Sequence, residues 1–316
     1  MSRNSSFGRA ILSWFDADQA QRSAAPHATR SHGAGWAGVD WWRIVPFVGL
    51  HVACVAVIWV GASPAALFVA ALSYLVRMFA ITAFYHRYFS HKAFVTGRIT
   101  QFLFALLGAA ATQRGPLWWA ANHRKHHRHA DTAEDPHRPQ DGFLWSHMGW
   151  FLSSRHFATE AAQVRDWLKF PELVWLNRFD TLVPIVYAGS LFLLGDWLAR
   201  VAPELGTSGW QMLVWGYVVS TVVLIHATLL VNSLAHVWGT RSFQTRDNSR
   251  NNLLIALLTL GEGWHNNHHR YAGSARQGFY WWQVDLSYCG LRLLAMLGLV
   301  RDLKAVPEAV LDEGRR

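Results

Sequence analysis

Apolar residues along this chain gather into blocks instead of recurring at helical or strand spacing. Four blocks approach the roughly 20 residues that a helix needs to cross a bilayer. They run from about Ile44 to Val60 (IVPFVGLHVACVAVIWV), Ala65 to Tyr85, Leu182 to Leu198 and Met212 to Ala235. Gly61–Pro64 reads as a tight turn between the first two. Thr100–Thr112 is apolar but too short to span, and is expected as a helix or re-entrant segment lying against the others. Leu253–Leu260 is shorter still. The predicted fold class is an all-α integral membrane protein with four transmembrane helices and a cytoplasmic helical cap.

Composition supports that pattern. Of the 316 residues, 52% are hydrophobic and only 16% charged, against about a quarter charged in soluble domains. The 18 Trp suit the boundary between lipid and water, where indole rings settle. A formal net charge of +9 admits nucleic acid, anionic lipid or an anionic substrate. No basic helix, RNP-type segment or zinc-finger spacing supports nucleic acid, so membrane lipid is the expected partner. Cys54 and Cys289 lack CxxC spacing and lie in apolar surroundings, which implies two inert thiols and no disulfide framework. Residues 1–40 carry scattered Arg, Ser and His without the apolar core of a signal peptide. They are expected as a flexible cytoplasmic segment, with Gly8–Phe15 on the bilayer surface or in a disordered tail. Residues 41–306 make up the membrane domain and 307–316 a polar C-terminal tail.

The links at 61–64 and about 199–211 carry one cation, Arg200, beside Glu204. Nearly all other Lys and Arg fall in the N-terminal segment, in 86–180 or after 236. The positive-inside rule then puts both termini and the large middle segment in the cytoplasm, as a multi-pass protein of the bacterial inner membrane. Arg77 interrupts the second block nine residues before His86, roughly 13 Å deeper at 1.5 Å per residue. An intramembrane charge faces the protein interior and has a partner, so Arg77 is read as a tie between helices.

The chemistry lies in the histidines. Most of the 17 fall at the same membrane face, in four groups. These are His86-Arg-Tyr-Phe-Ser-His91, His123-Arg-Lys-His126-His127, His265-Asn-Asn-His268-His269 and His236, with Asn232 one turn before it. On a helix, positions i, i+3 and i+4 share a face, and the last two diverge by about 100 degrees. An HxxHH segment can therefore serve two neighbouring metals, and two facing segments make a cradle for both. The HxxxxH spacing puts its second histidine off the first one's face, so the helix is expected to end or bend near Phe89. Zinc is satisfied by about four ligands. This larger set implies two metals, and imidazole suits iron, copper and zinc.

With these residues in view, the chain resembles the integral-membrane fatty acyl desaturases of the stearoyl-CoA, delta-9 type. HRYFSH, HRKHH, DPHRPQDGFLWSHMGW, LVNSLAH and EGWHNNHH stand in that family's order from about Arg43 to Val306. The resemblance implies a di-iron centre. One iron would be held by His86, His91, His123, His127 and His268. The other would be held by His126, His236, His265 and His269, with Asn232 reaching it through a water. His129, His137, His147 and His226 fall outside the family's ligand positions. Metal-bound imidazoles donate their second ring nitrogen to an acceptor. Asp131, Glu134, Asp135 and Glu262 lie near the motifs, and Asp135 and Glu262 are the preferred candidates.

The implied reaction converts a saturated acyl chain, O₂, two electrons and two protons to a cis-alkene, expected at delta-9, and water. Electrons must come from a partner, since the chain has no haem module, flavin fingerprint or cluster-binding cysteine set. A ferredoxin, or a b-type cytochrome with its reductase, is implied, docking through basic surface in 86–98 or 270–304. Overall resemblance favours acyl-CoA as substrate. In the acyl-CoA enzymes, however, an Arg-Asp pair precedes the HxxHH motif, and here it is Ala121-Asn122. That departure points toward lipid-linked or carrier-protein-linked chains. Two other classes fit the pattern less well: a di-iron fatty acid hydroxylase, and a metal-binding or transport protein.

Overall fold

A computed structural model describes residues 11–18, 38–42 and 44–315. The other parts of the N-terminal segment, including Gly8–Ala10, lie outside the described residues. The chain is mostly helical. Its main helices are α1 (Val45–Val60), α2 (Pro64–Ser90), α3 (Arg98–Ala109), α4 (Pro116–His129), α5 (Pro171–Arg178) and α6 (Leu182–Val201). They continue as α7 (Gly209–His236), α8 (Leu253–Leu258), α9 (His265–Arg270), α10 (Leu286–Met296) and α11 (Glu308–Glu313). A two-residue antiparallel pair, Val95–Thr96 with Val300–Arg301, ties the end of the chain to the segment after α2.

Among the described residues, α2, α6 and α7 are long and apolar enough to cross a membrane. α1 is apolar but shorter, and its middle tightens to a 3-10 turn at Cys54–Ala56. Three helices therefore have the length and composition of a span, where the sequence pattern leads one to expect four. Gly61, with φ of 64°, closes α1 in a conformation that only glycine adopts readily. Ser63 then caps α2 by accepting from the Ala66 amide.

Arg77 is buried, and its guanidinium donates to Ser73 O, Ala110 O (3.3 Å) and the Thr221 hydroxyl (2.6 Å). It also lies over the rings of Tyr187 and Tyr217, on α6 and α7. It thus ties α2 to α6 and α7, and among the described residues no carboxylate pairs with it. Polar partners spread over several helices satisfy the charge that the apolar surroundings would otherwise penalise.

The helical winding of α2 widens from Ala80 to Ser90, where it becomes π-helical. It ends at Ser90, one residue past the expected end near Phe89. Wide winding joins residue i to i+5, and the His91 amide indeed donates to His86 O at 3.3 Å. Other elements stabilise this unusual stretch. Arg124 of α4 donates to the carbonyls of Phe89 (2.7 Å) and Ser90 (2.8 Å), and Trp167 to that of Phe89. These are the orphan acceptors of a helix end. On the other side, Tyr85 packs so close to Gly108 of α3 that a Cβ there would lie 2.1 Å from its ring.

The N-terminal residues 11–15 and 17–18 are helical, and Asp16 between them is buried. At the far end, α11 buries Val310 beside Phe243, Phe279 and Tyr280, so the expected polar tail has an apolar anchor.

Candidate functional site

Four elements converge at one end of the long helices: the widened end of α2, α4, the end of α7, and α9. In α2 the five-residue spacing of His86 and His91 now matches the winding, and their rings lie 5.0 Å apart. In α4, His123 and His127 are i and i+4, and His126 points around the helix by about 100 degrees. The same geometry recurs in α9, where His265 and His269 are the pair and His268 the single ring.

The two helices face each other with these roles exchanged. The pair from α4 joins the single ring of α9, and the pair from α9 joins the single ring of α4. Potential ligand nitrogens of His86, His91, His123, His127 and His268 lie within 4.8 Å of one another. Those of His126, His236, His265 and His269 form a second group of the same tightness. These are the two sets that the motif resemblance implies.

The asparagines of HNNHH hold α9 from behind. Asn266 accepts from the Ser242 and Phe243 amides at 2.8 Å each, and Asn267 donates to Gln277 O and Gln283 Oε1. A six-residue helix is too short to be stable by itself. Those side-chain bonds fix which face it turns inward.

Behind the rings stand carboxylates. His126 Nδ1 donates to Asp135 at 3.0 Å, and His269 Nδ1 to Asp247 at 2.9 Å. His86 Nδ1 meets Glu262. His236 Nδ1 lies 3.2 Å from Asp131 Oδ1, off the hydrogen-bond axis. Glu134 instead pairs with His129, on the outer side. Asp247 was missed by sequence reasoning, since only the loop after α7 carries it back to a ring 22 residues later. Glu262 is itself held by Arg87, at 3.0 Å, and by Gln277, at 2.9 Å. Arg87 also reaches Asp285 and is 1% exposed.

The electrostatics favour the neutral form in six of the rings. Burial, and then the neighbouring imidazoles, hold His91, His123, His127, His265 and His268 well below the usual imidazole value. Burial takes His269 down to about 4 against the pull of Asp247. At His126 the Asp135 carboxylate more than offsets burial and turns the shift upward. Asp135 and Asp247 are both lowered: burial raises each, and the histidine beside it outweighs burial.

This arrangement passes a direct test for a cation. His126 and His269 both turn Nδ1 to a carboxylate, and His269, which burial keeps neutral, presents a bare Nε2 lone pair. The Nε2 atoms of the two rings face each other at 3.3 Å. Similar Nε2 pairs face at 2.8 to 3.0 Å in His91–His123, His127–His268, His86–His268 and His236–His265. Facing lone pairs repel in the dry interior, and a metal cation between them removes the conflict. Imidazole sets backed by carboxylates have the form that metal sites take.

Asn232 does not join either set through a side-chain bond. It lines a cavity of about 680 Å³ that reaches His123, His137 and Asn122 at the histidine end. The cavity continues between α1, α6 and α7 and includes Thr112 and Tyr217, whose hydroxyls lie 3.2 Å apart. Its wall is largely apolar, in the form that takes hydrocarbon ligands. The His137 ring lies 4.2 Å from that of His126, tilted by 31°. His147 and His226 lie elsewhere, in a row with His51 joined by contacts of 2.9 Å.

The model of the fatty acid desaturase family matches residues 59–288. The chain belongs to that family. Relatives of this desaturase have names that agree with its site. The sn-1 stearoyl-lipid 9-desaturase of Anabaena variabilis is 37% identical over 84% of this chain and 94% of its own. An acyl-CoA 5-desaturase of Anemone leveillei is 36% identical over 86% and 82%. A chloroplastic protein of Arabidopsis thaliana, named as a probable lipid desaturase, is 37% identical over 86% and 73%. The chain is thus an oxidoreductase that desaturates fatty acyl chains, and its apolar helices fit a membrane protein.

Proposed function

We propose that the two histidine sets hold two iron ions, and that this desaturase introduces a cis double bond at delta-9 into a saturated chain esterified to a membrane lipid. The observation that carries the metal assignment is the convergence of imidazole nitrogens in two tight sets, with carboxylates behind several of the rings. Histidines make iron one of the metals the sites accept, and the family's chemistry requires an oxidant generated from O₂. When bound, the metal pair supplies that oxidising power, which acid–base side chains lack. His86, His91, His123, His127 and His268 would hold one ion, and His126, His236, His265 and His269 the other. Asn232 lines the cavity, and in this reading it reaches the second ion through a water.

The chain's own residues do the positioning. The cavity orients the acyl segment against the histidine end, excludes water, and limits depth where Thr112 meets Tyr217. Asp135, Asp247 and Glu262 keep the rings they meet in the tautomer that leaves Nε2 free. Lipid as the carrier is supported by the name of the Anabaena relative, a stearoyl-lipid desaturase. Ala121-Asn122, at the place of the Arg-Asp pair, points the same way. The four-span topology, with α1 as the first span and the histidine end in the cytoplasm, follows from the cation distribution. The separate electron donor, a ferredoxin or b-type cytochrome, would dock on the basic surface near that end.

Expression in a bacterial host with a ferredoxin system tests this reading. Gas chromatography–mass spectrometry of the lipids, with derivatisation to locate double bonds, is expected to find delta-9 cis-monoenes. Hydroxy acids would move the chain to hydroxylase chemistry. Asp247→Ala should lower metal retention or product by roughly 10–100-fold, the usual loss when a carboxylate behind a metal-bound histidine is removed. Metal analysis after a mild chelator wash measures this, and unchanged retention and product would remove Asp247 from the site.

A further inference from the structure

The cavity is not closed on the membrane side by the spanning helices alone. Val45 of α1 and Ile185 of α6 both line it, and both are about half exposed, at 45% and 51%. Around them Val48, Val52, Leu182 and Val186 turn outward, a surface that only hydrocarbon covers without cost. The cavity therefore reaches the lipid-facing side between the histidine-end halves of α1 and α6.

The piece that fills this window comes from the N-terminal segment. Ser13, Trp14, Phe15 and Ala17 complete the lining there. Trp14 stacks on Trp42 with centroids 4.6 Å apart. Asp16 takes two hydrogen bonds from Arg178 at the end of α5, at 3.0 and 2.8 Å. Phe15 lines the cavity from inside and is 44% exposed on the outside. Trp14 also donates to Trp42 O at 3.3 Å, and Arg178 also meets Asp18 at 3.5 Å. The Arg178 side chain is 44% exposed, so its ion pairs are screened by solvent and hold this wall less firmly than buried helix packing would.

We propose that residues 11–18 form a lateral door in the acyl cavity, and that the chain to be desaturated enters through it directly from a lipid of the surrounding bilayer. Asp16 and Arg178 are the latch, and Trp14 on Trp42 is the hinge-side contact. The inference rests on the desaturase reading with a lipid-linked chain and adds to it the route of entry. A bilayer lipid is the occupant that fits, because the window opens on apolar helix faces and not on the polar cap. Asp16 and Arg178 are positioning residues here and touch no reacting atom.

The test uses the full-length chain in phosphatidylcholine liposomes, with Cys54→Ala and Cys289→Ser to remove the native thiols. Asp16→Cys and Arg178→Cys are then bridged with a short reducible bis-thiosulfonate reagent. The probe is phosphatidylcholine with a diazirine in its acyl chain, and the readout is photolabelling of peptides that contain Thr112–Trp119. Bridging is expected to reduce labelling at least fivefold, and reduction in the same sample to restore it. Equal labelling in the bridged and reduced states would overturn the door, as would a cavity that stays unlabelled after reduction. Labelling only by diazirine-palmitoyl-CoA added from water would overturn the bilayer route. Labelling needs no turnover, so a chain that admits the lipid but makes no alkene would count against the desaturase reading alone.

Discussion

Replacing His268 with alanine is expected to reduce desaturation by more than about 100-fold, beyond the usual loss from disturbing a group behind a ligand. His268 Nε2 faces two partners at once, His86 at 2.9 Å and His127 at 2.8 Å. It is 1% exposed, so nothing from solvent replaces it without water entering a dry pocket. The remaining four rings of that set keep their places, because α2 and α4 are anchored through Arg124 and Glu262. That set then holds its ion with four rings instead of five, so its metal should be lost more readily to a chelator wash, while the other set keeps its own. Elemental analysis of the purified protein, together with product analysis, separates this from unfolding. His129→Ala is the control, since His129 is paired with Glu134 outside both sets. Two metals and near-parental product in His268→Ala would show that this ring is no ligand.

The second large effect is on stability. Arg87→Met should cost about 3–5 kcal/mol, the range for removing one partner of a buried ion pair. Arg87 binds Glu262 at 3.0 Å, Asp285 at 2.9 Å and Ala275 O at 2.8 Å, all in the interior. Without it, Asp285 keeps the backbone amides of Gln277, Gly278 and Tyr288. Glu262 keeps His86 and Gln277. Both carboxylates nevertheless remain buried with no cation of fixed charge. For a chain of this size the midpoint of thermal unfolding in detergent should drop by roughly 10 °C. Arg87→Lys should recover only part of the loss, because an ammonium cannot make the forked contact to both acids. A midpoint unchanged in Arg87→Met would mean that the two acids are neutral in the native state and need no counter-ion.

These expectations draw on different depths of information. Asp135 and Glu262 could be picked from the chain because each lies close in sequence to a histidine motif. Asp247 could not, since nothing local marks it and a folded loop alone brings it to His269. The HxxxxH spacing raised a conflict with ordinary helical geometry. The conflict is resolved by widened winding that Arg124 and Trp167, from two other elements, hold in place. Residues 11–18 gave no signal beyond a short run of mixed character, and their place in the cavity wall depends on α5 and α1.

The chain by itself determined what local chemistry determines. Long apolar blocks must become helices wherever lipid surrounds them, because the backbone has no other way to satisfy its polar groups. Spacings of three and four decide which histidines share a helical face. The motifs therefore already contained the ligand candidates and the family. Tertiary structure alone decided how two HxxHH helices exchange their pairs, which carboxylate backs which ring, and where the acyl cavity meets the bilayer. Those features depend on contacts between residues tens to hundreds of positions apart, and no periodicity along the chain encodes such distances.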